Sequence, residues 1–109
     1  MAYDEDLAQR IRLLTGGAAG LSEKSMFGGL AFLINGNMSV SASGQGGLLL
    51  RADPDQSDAL VKRGAERAVM QGRTMNGWLR VDASKVKTDK QLREWVAVGV
   101  DYARSLPAK

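Results

Sequence analysis

The stretch Met26-Phe27-Gly28-Gly29-Leu30-Ala31-Phe32-Leu33-Ile34-Asn35-Gly36-Asn37-Met38-Ser39-Val40-Ser41-Ala42-Ser43 decides the fold. Asn35-Gly36 is a strong two-residue hairpin signal, because both residues tolerate the positive φ that a tight turn demands. Before the turn, Met26 to Ile34 is apolar on both faces, which predicts a strand buried on both sides. Within it, Gly28-Gly29 suggests a bulge or a close backbone approach. After the turn the residues alternate. Met38, Val40 and Ala42 are expected on one face and Ser39, Ser41 and Ser43 on the other, because successive strand side chains point to opposite sides. A turn at Gly44-Gln45-Gly46-Gly47 leads to a third strand, Leu48 to Ala52, which Asp53-Pro54 ends.

Outward from this meander the period changes. Tyr3 to Leu14 reads as an amphipathic helix, with Leu7, Ile11 and Leu14 at helical spacing. Asp4, Glu5 and Asp6 sit in its first turn, where negative charge suits the helix dipole, and Gly16-Gly17 stops it. Asp55 to Gly64 predicts a short helix. Arg67 to Met70 and Asn76 to Asp82 predict two further strands, the second with Trp78 on one face and Leu79 and Val81 on the other. Thr88 or Asp89 caps a last helix. It runs to about Ser105 through Leu92, Trp95, Val96, Gly99 and Tyr102. The predicted order is α-β-β-β-α-β-β-α over residues 1–109, one domain without linker or repeat. Strands that come in blocks indicate an α+β class with a mainly antiparallel sheet.

Composition closes off much chemistry. The 109 residues include no Cys and no His. Disulfide and thiol chemistry are excluded, zinc and copper sites lose their usual ligands, and imidazole bases are absent. No cofactor motif is present. Gly20-Leu21-Ser22-Glu23-Lys24-Ser25 offers Lys-Ser without the glycine spacing of a phosphate-binding loop. Asp53, Asp55 and Asp58 could in principle do acid–base work or bind Mg²⁺, but a cap and first-turn acids account for them. The chain is read as a non-enzyme with no metal.

The formal charge is +3, with 15 basic and 12 acidic residues. Residues 25–50 carry no charge, and residues 83–109 carry 6 basic groups against 3 acidic. Lys85, Lys87, Lys90 and Arg93 are the candidate nucleic-acid contacts, on a segment whose plainer reading is a solvated helix start. The uncharged sheet region invites a homodimer or a partner, because charged gatekeepers are what block strand-edge pairing. The most distinctive stretch is Gly72-Arg73-Thr74-Met75-Asn76-Gly77-Trp78-Leu79-Arg80-Val81. Arg, Met and Trp are enriched at interfaces, so Arg73, Met75, Trp78 and Arg80 are the candidate protein contacts. No signal peptide and no apolar run of membrane-spanning length (~20 residues) is seen, which predicts a cytoplasmic protein.

Three blocks occur together: Met26-Phe27-Gly28-Gly29-Leu30-Ala31-Phe32, Asn76-Gly77-Trp78-Leu79-Arg80-Val81 and Leu92-Arg93-Glu94-Trp95. Their order and spacing resemble the TfoX/Sxy N-terminal domain over about residues 4–105. The resemblance implies a two-layer α+β sandwich like that of type III secretion chaperones. It also implies a role in regulating natural competence, where full-length members are thought to help a cyclic-AMP receptor protein at promoters. Those members add a helical C-terminal domain related to DNA-binding folds, so this chain is read as a stand-alone first domain. No catalytic residue carries over. The expectation is a non-enzymatic regulatory or protein-binding domain, with a transcription regulator or a second copy as partner. Direct nucleic-acid binding through the basic C-terminal segment is the alternative.

Overall fold

In the computed structural model, Asn35 takes φ 52° and Gly36 φ 82°, so the hairpin turn forms where the sequence predicts it. The structure describes residues 3–26, 28–44, 46–70 and 72–108, the side chains of Met26, Met70, Met75 and Asn76 excepted. Phe27 and Gln45, which belong to the glycine-bearing stretches quoted above, lie outside the described residues.

The elements in chain order are α1 (Glu5–Thr15), β1 (Leu21–Met26), β2 (Gly29–Ile34), β3 (Asn37–Ala42), β4 (Leu48–Arg51), α2 (Ser57–Lys62), β5 (Glu66–Met70), β6 (Arg73–Val81) and α3 (Asp89–Ser105). Short 3-10 turns at Pro54–Gln56 and Ala83–Lys85 precede α2 and α3. The class is α+β: the strands form one antiparallel sheet in the order β1-β2-β3-β4-β6-β5. This corrects the predicted element order by one strand. Leu21–Met26 pairs with Gly29–Ile34 as a hairpin, so Gly28-Gly29 is no mid-strand bulge. Gly28 lies in the turn and Gly29 opens β2, where a Cβ would run into the Ala42 carbonyl oxygen, so the close backbone approach holds at Gly29.

A real bulge sits one strand later. Leu33 pairs with Met38 but Phe32 pairs with Val40, which leaves Ser39 as the extra residue of β3. The extra residue breaks the period of two. Val40 and Ala42 enter the main core, whereas Met38 joins a second cluster with Ala31, Leu49 and Ala68. The predicted alignment of Met38 with Val40 and Ala42 is therefore overturned. The Ser39 hydroxyl donates to the Phe32 carbonyl at 2.6 Å, supplying a partner where the ladder is interrupted.

Helices α1 and α3 cover one face of the sheet. Leu7, Ile11, Leu92, Trp95 and Val96 pack there on Leu30, Phe32, Val40, Leu48, Leu50, Leu79 and Val81. Asp4 caps α1 by accepting from the amides of Asp6 and Leu7. Thr88 caps α3 in a reciprocal box with Gln91, which satisfies two otherwise orphaned amides. Gly99 lets α3 approach β3 closely: a Cβ there would sit 2.5 Å from the Ser39 carbonyl oxygen. The uncharged segment turns out to be sheet interior. Ala31, Phe32, Val40, Ser41, Leu48 and Leu49 are all buried. The edges belong to β1 and β5, which carry Glu23, Lys24, Glu66 and Arg67. The missing charges thus reflect burial in the sheet and do not mark an open association surface.

Candidate functional site

Strand β6 supplies the first candidate surface. It pairs with β4 only from Trp78 to Val81, while its earlier residues pair with β5 alone. Leu79 and Val81 enter the helix-side core, and Trp78 packs on the second cluster across the sheet. Trp78 and Arg80 therefore share the face that α1 and α3 leave uncovered. The Arg51 guanidinium lies 5.7 Å from the Trp78 ring centroid and 5.7 Å from that of Tyr102. Arg80 donates through Nη2 to the Gly46 carbonyl at 3.2 Å, so its side chain is oriented across the strand ends. Arg73 is exposed at the far end of β6, near Val69 of β5, which is 62% exposed. The Met75 side chain lies outside the described residues. Of the four predicted protein contacts, the structure brings Trp78 and Arg80 to one face and sets Arg73 apart along the same strand.

The four predicted nucleic-acid contacts do not form one patch. Lys85 turns toward the end of α2, where its Nζ donates to the Gly64 carbonyl at 2.9 Å. Arg93 lies on the opposite side of α3, lining a depression against α1 with Leu14, Ala18 and Arg104. Lys87 and Lys90 are exposed between them. Acids are interleaved. Asp89 pairs with Arg10 at 3.4 Å, and Arg10 also donates to the Lys87 carbonyl. The Asp82 carboxyl is held below the usual range by hydrogen bonding from Ser84, with Lys85 and Lys87 adding attraction.

Lys85 instead meets Lys62 and Arg63, which sequence reasoning missed. These three, with Gly64, Gln91, Glu94 and Trp95, line a depression of about 380 Å³. The only local signal was the adjacent pair Lys62-Arg63 before Gly64 at a helix end. Nothing in the spacing ties that pair to a lysine past two intervening strands.

Two of the three acidic candidates, Asp53 and Asp58, have structural partners, and Asp55 lies in the first turn of the 3-10 segment. Asp53 accepts from the Asp55 amide at 2.9 Å and caps the 3-10 turn, and Asp58 forms an ion pair with Arg67. Among the described residues no group of three or more His, Cys, Asp or Glu could hold a metal. Among them, too, no helix is long and apolar enough to cross a membrane.

The family model of the TfoX N-terminal domain matches residues 13–103. The chain belongs to the TfoX N-terminal domain family. No curated protein matches it. In this TfoX N-terminal domain, the three sequence blocks that carry the resemblance converge. Leu30 and Phe32 of β2, Leu79 and Val81 of β6, and Leu92 and Trp95 of α3 all lie in the helix-side core. What the blocks share is mainly packing, and Ala31, Trp78 and Arg80 are members that reach the other face, Ala31 fully buried there.

Proposed function

We infer that this chain is a non-enzymatic regulatory domain that works by binding a protein partner, in the competence or transcription setting its family suggests. Membership of the TfoX N-terminal domain family carries the reading. The helix-free face of β6 supports it with a surface, since Trp and Arg are the side chains that most often dominate binding energy. A transcription regulator is the partner class proposed. A homodimer through the same face is the simplest self-association.

Direct nucleic-acid binding has weaker support. Such binding draws on a concentrated row of cations against phosphates, and here Lys85 and Arg93 face different neighbours.

The test is comparative affinity capture from the native cell with the full chain and with Trp78→Ala and Arg80→Ala. Far-UV circular dichroism verifies folding, and sedimentation reports the oligomeric state. A regulator enriched by the parent chain and lost with both variants is the expected result. Identical captured sets and unchanged sedimentation would reject the surface.

A further inference from the structure

The depression at the end of α2 holds an unequal set of charges. Lys62, Arg63 and Lys85 line it, Glu94 is the acidic member among its described lining residues, and the Asp82 carboxylate lies within reach of Lys85. The fold, not chain proximity, assembles this group: Lys62 ends α2, Lys85 belongs to the 3-10 turn after β6, and Glu94 and Trp95 belong to α3.

Two of the cations are held in place. The Arg63 guanidinium sits 5.1 Å from the Trp95 ring centroid, and Trp95 is only 5% exposed. Stacking uses the face of a guanidinium and leaves its edge of N–H donors available. Glu94 approaches Arg63 only to 3.8 Å, and both side chains are about half exposed. That contact is too long for a hydrogen bond, so it leaves donor capacity unused. The Lys85 ammonium uses one of its three donors on the Gly64 carbonyl. A pre-positioned guanidinium and ammonium lose less freedom on meeting an anion than two free side chains would.

We propose that this depression docks an acidic segment of a partner protein, with carboxylates received by Arg63 and Lys85 and long-range attraction supplied by Lys62. Arginine presents the fork that matches a carboxylate, and lysine a point charge beside it. A polypeptide is favoured over a duplex by shape and by the spacing of charge. The concavity is of side-chain size, about 380 Å³. Glu94 on its wall and the Asp82 carboxylate near Lys85 interrupt the cations, a broken pattern that a peptide's spaced carboxylates can match and a duplex's continuous row of phosphates cannot. The proposal concerns a different surface from the β6 face, so each can fail alone.

The test is a titration of the isotopically labelled full chain, followed by NMR, with a short acetylated peptide alternating glutamate and glycine. The same peptide with glutamine in place of glutamate is the control, and a short DNA duplex is the competitor. Saturable shifts at the Gly64 and Lys85 amides and the Trp95 indole, with the acidic peptide alone, are expected. Lys62→Glu, at an exposed position, should suppress them while the rest of the spectrum stays native. Arg63→Gln should weaken binding about tenfold, the worth of one charge-assisted hydrogen bond. Equal shifts from the glutamine peptide, shifts confined elsewhere, or unchanged affinity in both variants would overturn the proposal. So would a duplex that moves these same signals at lower concentration than the peptide.

Discussion

The Arg12 guanidinium grips both carboxylate oxygens of Glu23, with Nε 2.8 Å from Oε2 and Nη2 2.9 Å from Oε1. This fork fastens α1 to the edge strand β1, whose other tie is the ladder to β2. The hydrogen bonds from Arg12 hold the Glu23 carboxyl below the usual range, and Glu23 in turn holds the Arg12 proton more firmly.

The sign of the pH effect follows. A carboxyl whose pKa is depressed by folding stabilises the folded state above its unfolded pKa, about 4.3 for Glu. That contribution fades as pH falls through the lower folded value. Glu23→Gln should therefore melt at a lower temperature than the parent chain at neutral pH, and the gap should narrow in acid, below the ordinary glutamate value of about 4.3. Thermal melts followed by circular dichroism at neutral and acid pH test this. The effect is small because the pair is open to solvent and salt, and a gap that persisted in acid would mean packing, not charge.

Gly99→Ala sets two effects against each other. Alanine is the better helix former by about 1 kcal/mol, yet its methyl would press on the Ser39 carbonyl and on Val40 Cγ1, at 2.5 and 2.7 Å. Backbone at a bulge under a packed helix has little room to yield. Overpacking should win, with a net destabilisation of about 1–3 kcal/mol and a lowered melting temperature. A stabilised variant would show that α3 and β3 are further apart than described.

Ser39→Ala keeps the bulge residue small but removes the donor to the Phe32 carbonyl. Both residues are fully buried, so water cannot easily replace the lost bond. A cost of about 1–3 kcal/mol is expected in chemical denaturation. Ser39→Thr, which retains the hydroxyl, should keep that bond if the extra methyl fits.

Thr88→Ala removes one half of the capping box at the start of α3. The expected loss is about 1 kcal/mol, and Thr88→Ser should recover most of it. Amide exchange at Gln91, whose N–H is bonded to the Thr88 hydroxyl at 3.1 Å, should quicken in the alanine variant only.

What was readable in the sequence divides by mechanism. The hairpin at Asn35-Gly36 and the cap at Thr88 are local, and local chemistry decided them, whereas Asp4, expected in the first turn, proves to be the N-cap itself. The faces of Trp78, Leu79 and Val81 were readable because that part of β6 keeps its period. Strand β1 was missed because Leu-Ser-Glu-Lys-Ser-Met is polar, as an edge strand with one partner can be. The Ser39 bulge was hidden by a run that alternates cleanly on paper. Only pairing with β2 inserts the extra residue. The basic depression was beyond local reading, because Lys62, Arg63 and Lys85 are joined by the approach of the Ala83–Lys85 turn to the end of α2 and by no motif.

Strand β6 lies between β4 and β5 although β5 comes first in the chain. The meander β1–β4 can close by short turns, and β5–β6 by another, whereas the β4–β6 seam must wait until the chain from Ala52 to Gly72 has folded back. Loop-closure entropy is spent at that one seam, and non-local pairing is what slows folding. The molecule thus consists of two locally assembled ribbons zipped at a single line. When that line opens, β5–β6 should leave as one flap and take Trp78 and Arg80 with it.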